Sequence, residues 1–148
     1  MQAATPAPAA PPRDSATIVL LRDAAQGMEV LLLRRNARAS NMGGLYVFPG
    51  GKLDPQDHWA EGTPGLDRPG AALASALGEA ETPPERAAAL YIAALREALE
   101  ECGLLLAEPL AHGAALDAGA VRARLRGGEG FAALVQAMAL RLQTRALL

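Results

Sequence analysis

Three carboxylates crowd the end of one predicted helix. In LREALEECGL, residues 95–104, Glu97, Glu100 and Glu101 stand close before Gly103, a glycine placed to end a helix. A helix C-terminus carries about half a negative charge. Glu97 and Glu101, at i,i+4, also repel each other by about 0.2–0.5 kcal/mol. At about 100° per residue, Glu100 lies roughly 60° to one side of Glu97 and Glu101 roughly 40° to the other. All three therefore share one face, away from Leu95, Leu99 and Cys102. A cluster that breaks a local rule has a compensating partner when it is functional. For close carboxylates that partner is a hard divalent cation. Magnesium takes oxygen ligands, keeps several waters and is completed by substrate phosphates. The competing reading is an acidic face turned to solvent.

A second group lies upstream. FPGG, residues 48–51, ends a predicted strand and leads to Lys52, Leu53 and Asp54. Glycines at such a place let a backbone approach a ligand or metal closely. Before it, in an irregular stretch, come Arg34, Arg35 and Arg38. Each can clamp phosphate oxygens or stand solvated beside a turn. Tyr46, Phe48 and Trp59 can stack on a base, although Tyr46 and Phe48 at alternate strand positions also read as core. The single cysteine, Cys102, excludes an internal disulfide and a Cys-based zinc site, and reads as a buried, inert thiol. His58 and His112 are too few and too far apart for a metal pair.

The elements that must position these groups follow from patterning. ATIVLLR (16–22), MEVLLL (28–33) and LYVF (45–48) read as strands, the first two joined by a turn at DAAQG. Their near-continuous apolarity predicts cover on both faces. Residues 54–82 form a long Gly-, Pro-, Ala- and Asp-rich excursion with a short helix at 70–79. The main helix starts with Thr82 as N-cap, Pro83 as its first residue and Glu85 as reciprocal partner. It runs to about Cys102, with Ile92, Leu95, Leu99 and Cys102 as its core stripe. LLLA, 104–107, is a candidate short strand. Helices are expected at 115–126 and 130–142, with no strand run after residue 107.

The 148 residues suffice for one domain. They are 51% hydrophobic but only 3% aromatic, so aliphatic side chains must fill the core. A net charge of −2 gives no reason to expect nucleic acid or an anionic membrane as partner. No apolar run reaches the ~18 residues of a membrane span. MQAATPAPAAPPRD, residues 1–14, reads as a disordered Ala/Pro tail and not a signal peptide. A soluble cytoplasmic protein is expected.

The two groups together resemble the Nudix hydrolase family, whose box is G-x5-E-x7-R-E-U-x-E-E-x-G-U, with U aliphatic. Gly51 matches the opening glycine, and Arg96 to Leu104 match the second half in unbroken order, with Ala98 a small choice for U. Two features depart from the pattern. Asp57 stands where the family has glutamate, and 38 residues instead of seven separate it from Arg96. Asp57 either serves in the glutamate's place or has no counterpart role. A box interrupted by an insertion is a trait of a subgroup similar to coenzyme A diphosphatases. LLLRRNARASNMGGLYVFPGG also looks like the motif upstream of the box in those enzymes. The resemblance covers roughly residues 16–107.

The resemblance implies an α+β fold, a Nudix-type α/β/α sandwich with a mixed sheet, with the domain over 15–148 and the insertion at about 58–82. It implies hydrolysis of a nucleoside diphosphate linked to another moiety, foremost coenzyme A or acyl-CoA, with magnesium or manganese. The alternatives are ADP-ribose or NADH as substrate, or a truncated, catalytically weak nucleotide-binding module. Glu97 and Glu101 would be the principal metal ligands, Glu100 a ligand or base, and the Gly51 carbonyl a further ligand. Arg96 would orient a box carboxylate. Arg34, Arg35, Arg38, Gly50 and Lys52 would meet the substrate. Without strands after the box helix, the domain is expected to be C-terminally incomplete and to self-associate through an unpaired sheet edge.

Overall fold

The computed structural model describes residues 12–38, 43–79, 81–111, 113 and 115–147. Most of the expected Ala/Pro tail, part of the arginine loop and His112 fall outside these residues. Among these residues, eight short strands and four α-helices follow one another. β1 (Ser15–Thr17), β2 (Leu21–Ala24), β3 (Gly27–Val30), β4 (Leu33–Arg34), β5 (Tyr46–Val47) and β6 (Gly50–Lys52) precede α1 (Gly70–Leu77) and α2 (Pro84–Glu97). After a five-residue π turn, Ala98–Cys102, come β7 (Ala107–Pro109), α3 (Ala118–Arg126), α4 (Phe131–Ala137) and β8 (Leu140–Leu142).

The strands pair two by two, all antiparallel: β1 with β6, β2 with β3, β4 with β5 and β7 with β8. The expected mixed sheet is reduced, among the described residues, to one parallel bridge between Leu66 and Leu142. The first two predicted strands are broken, at residues 18–20 between β1 and β2 and at Leu31–Leu32 between β3 and β4, and the third is cut to β5, ahead of Pro49, which has no N–H to give a ladder.

The box helix α2 is the centre of the fold, with different faces buried against different neighbours. Ile92, Leu95 and Leu99 meet Val121, Phe131, Leu134 and Leu142. Ala93, Ala94 and Ala98 lie under Ala16 of β1 and Ile18 just after it. Ala87, Ala88 and Tyr91 pack on Leu73 of α1. Small alanines on the strand side let backbone approach backbone, which is how so few aromatics suffice. Cys102, expected in the core stripe, is only half-buried.

Three further expectations are corrected. The N-cap is Pro83 and not Thr82, whose hydroxyl donates instead to Glu79 Oε2. Pro84 forces the residue before it into extended backbone, and Pro83 has φ −68° and ψ 154°, so the helix begins one residue later. The apolar early strands are not covered on both faces: Leu21, Met28, Val30, Leu31 and Leu32 are exposed. Strands do follow the box helix. The predicted helix over 130–142 stops at Ala137, Ala139 turns the chain at a φ of 47°, and β8 pairs with β7. Leu140 and Leu142 are buried while Arg141 faces Glu108 outside, a two-residue period too short to stand out in the sequence.

Candidate functional site

Arg96 organises the site. It lies in the last turn of α2 and is 5% exposed. Its Nε and Nη2 donate to the two carboxylate oxygens of Asp57 at 2.9 and 3.0 Å. Nη1 donates to Glu97 Oε1 at 2.8 Å and to Glu100 Oε1 at 3.2 Å, and Nη2 also reaches the Lys52 carbonyl at 3.2 Å. A planar guanidinium can serve so many acceptors at once, and an ammonium cannot. Burial works against its charge, but Asp57 and then Glu97 outweigh it and hold its pKa above the ordinary value.

Asp57 is fully buried. It ends a 3-10 turn, Pro55–Asp57, that caps itself: Asp54 Oδ1 accepts from Gln56 N, and Asp57 Oδ2 accepts from Asp54 N at 2.8 Å. The turn aims the carboxylate at α2. Of the two readings open in the sequence, the contact favours the first: both Asp57 oxygens accept from Arg96.

The Gly50–Gly51 strand end lies directly against the carboxylates. A β-carbon on Gly51 would overlap the Glu97 carboxylate, so only glycine leaves Glu97 its position. The Gly50 N–H donates to Glu101 Oε2 at 3.0 Å. Burial, opposed by Arg96 and reinforced by Glu100 and Glu101, pushes the Glu97 pKa above the usual carboxylate range. A buried carboxylate with its charge disfavoured is one that a cation would stabilise. Glu100 and Glu101 stand at the outer side, the Glu100 side chain 37% exposed.

Among the described residues, no three His, Cys, Asp or Glu side chains form a preformed metal cage. The donor set still fits magnesium, which is held by one or two carboxylates with water and substrate phosphate completing the shell. Glu97 and Glu101 at the Gly50–Gly51 end supply two hard oxygen donors.

The other predicted residues are placed differently. Arg34, Arg35 and Arg38 are exposed, and no contact joins them to the carboxylates among the described residues. Lys52 is exposed and reaches the site through its carbonyl. Tyr46 and Phe48 are 65% and 42% exposed, so the core reading of both fails. Trp59 packs against the main core, its Nε1 donating to the Gln56 carbonyl. The half-buried Cys102 thiol is pushed up by burial and by Glu101, with Arg122 opposing. His58 is exposed.

The sequence reading misses one residue of this neighbourhood, Arg122, whose guanidinium reaches the end of the box helix from α3. Nothing in its surroundings, AVRARLR, marks it out from the arginines beside it. A cavity of about 630 Å3 lined by Trp59, Leu66, Arg68, Glu85 and Ala88 lies elsewhere. Ala88 precedes Glu97 by nine residues, about two and a half turns, so the cavity opens on the opposite face of α2.

No family model matches the chain, and no curated protein does. A solved structure does: a Nudix hydrolase from Alicyclobacillus acidocaldarius, 30% identical, with a TM-score of 0.61 over 89% of this chain. The match covers 57% of that hydrolase, so this chain spans little more than half its length. The coarse architecture, α+β with helices on small antiparallel sheets, is that of a Nudix hydrolase fold.

Proposed function

We propose that the chain belongs to the Nudix hydrolases and hydrolyses a nucleoside diphosphate linked to another moiety, foremost coenzyme A or acyl-CoA, with magnesium or manganese. The observation that carries this is the Arg96 clamp, which fixes Asp57, Glu97 and Glu100 together beside Gly50–Gly51. In this reading Glu97 and Glu101 hold the metal, with the Gly51 carbonyl a further ligand. An ion held there would supply charge neutralisation of the diphosphate and a lowered pKa for a water. Arg96 holds Glu100 by Oε1, leaving Oε2 to take the proton of the attacking water. Gly50 and Gly51, lacking side chains, let the diphosphate approach. Arg34, Arg35, Arg38 and Lys52 are exposed cations able to reach substrate phosphates. No helix among the described residues is long and apolar enough to cross a membrane.

One other reading has support. Exposed Tyr46 and Phe48 would stack on adenine in ADP-ribose or NADH as well as in coenzyme A. Hydrolysis of coenzyme A, ADP-ribose and NADH with magnesium or manganese separates them. The expected result is metal-dependent turnover that Glu97→Gln and Glu101→Gln abolish, with metal-free stability unchanged or slightly raised because like-charge repulsion is relieved. Wild-type turnover in either variant refutes the metal assignment. Neutralising Arg35 or Arg38 should raise KM for coenzyme A more than for ADP-ribose, because coenzyme A carries an extra phosphate. Equal effects remove the preference for coenzyme A.

A further inference from the structure

The three glutamates sit where a helix dipole opposes them, and the compensation comes from another helix. Asp117 caps α3, Val121 buries it against the core, and Arg122 is thereby aimed at the end of the box helix. Its Nη2 donates to the Glu100 carbonyl at 2.8 Å and the Glu101 carbonyl at 3.1 Å. These are among the carbonyls a helix end leaves without partners. Its Nη1 lies where a β-carbon on Gly103 would come within 2.9 Å. Gly103, at φ 73°, ends the helix and leaves room for the arginine. Arg122 Nε is buried without a partner, so the side chain is held for what its far end does.

The geometry points to Arg122 as a positioning residue: by gripping both carbonyls it fixes the π turn, and with it the direction of the Glu100 and Glu101 carboxylates. The widened turn lies at Ala98–Cys102 and carries both residues. Such turns recur at functional sites. The inference rests on the proposed metal role of Glu101, but its first test does not. Glu101 Oε2 accepts the Gly50 N–H, so hydrogen exchange of that amide in metal-free protein reports where the carboxylate points.

In Arg122→Ala the Gly50 amide should exchange at least about tenfold faster, with Arg122→Lys recovering part of the protection, while the Ile92 amide in the middle of α2 is unchanged. Manganese titrated by electron paramagnetic resonance should bind about 10-fold more weakly, the usual scale for losing a partner of a ligand. The sign is diagnostic, since removing a nearby cation would by itself tighten cation binding. Gly50 exchange that is unchanged, or that rises only in step with Ile92, overturns the inference, as does tighter manganese binding. If Arg122→Ala does not fold, Arg122→Lys carries the same comparison, because it keeps the charge and loses the forked grip. A wild-type chain that binds no manganese overturns the proposed function, and the exchange measurement still decides the role of Arg122.

Discussion

Removing the Asp57 carboxylate should be among the most damaging single changes in this chain. Asp57→Ala leaves Arg96 Nε and one bond of Nη2 unpaired in a place where the two side chains are 0% and 6% exposed. It also orphans the Asp54 N–H that Asp57 Oδ2 accepts. Breaking a buried pair from one side costs about 3–5 kcal/mol. Arg96 keeps Glu97 and Glu100, so the lower end, about 3 kcal/mol, is expected. At about 2–4 °C per kcal/mol for a chain of this size, Tm should fall by about 6–12 °C. Urea and thermal melts of the metal-free protein at neutral pH measure this. Asp57→Glu adds a methylene to a fully buried place and should cost about 1–3 kcal/mol through overpacking. The double change Asp57→Leu with Arg96→Met should recover part of the stability, because apolar pairs often replace buried ion pairs well. It should not recover turnover, since nothing then holds Glu97 and Glu100. A loss below about 1 kcal/mol in Asp57→Ala, the size of an exposed pair, would refute the reasoning.

Gly51→Ala should reduce manganese affinity and turnover together, because the new β-carbon displaces the Glu97 carboxylate; unchanged affinity would show that Glu97 does not hold metal where it stands. The Asp67 carboxylate accepts from the Thr144 hydroxyl and from the Thr144 and Arg145 N–H groups; burial opposes its charge, these bonds outweigh it, and its pKa lies below the ordinary 3.8. A depressed acid stabilises the fold above its unfolded pKa and loses that contribution as pH falls through the folded one, so Asp67→Asn should be less stable than wild type at neutral pH and the gap should close below about 3.8. A gap constant to pH 2 would contradict this. The exposed apolar strands, with Leu21 57% and Met28 70% exposed, should drive concentration-dependent association in sedimentation, weakened by Met28→Glu; a monomer at every concentration would refute it.

The site was more legible in the sequence than the sheet around it. Glu97, Glu100, Glu101 and Arg96 are local to one helix, and helical spacing alone places the three glutamates on one face, with Arg96 four residues before Glu100. That Gly51 and Asp57 join them was legible only through the resemblance, because no local pattern says that residues 46 positions apart, such as Gly51 and Glu97, will meet. The strands were misread for a physical reason. An apolar run such as MEVLLL predicts cover on both faces only if something packs on it. Pairing in two-stranded ribbons leaves Met28, Val30, Leu31 and Leu32 exposed. The start of α2 was displaced by the rule that a proline constrains its predecessor. β8 was hidden because Ala139, which is not glycine, makes the turn before it.

The long interruption between Asp57 and Arg96 costs the site little. Closing a loop of 38 residues instead of seven adds about 1.5 kcal/mol of chain entropy. The inserted residues are also tied down apart from the carboxylates. α1 packs on α2 through Leu73, and Leu66 bridges Leu142. Arg68 donates to the Thr144 hydroxyl and carbonyl and lies over the Tyr91 ring, while Asp67 takes the Thr144 and Arg145 N–H groups. These contacts fix the insertion to the first half of α2 and to the C-terminal segment. The Asp57 side of the interruption is fixed separately by its own capped turn. The clamp on Arg96 therefore forms from two elements each held in place independently, which is how a box split by so many residues can still bring its acid and its arginine together.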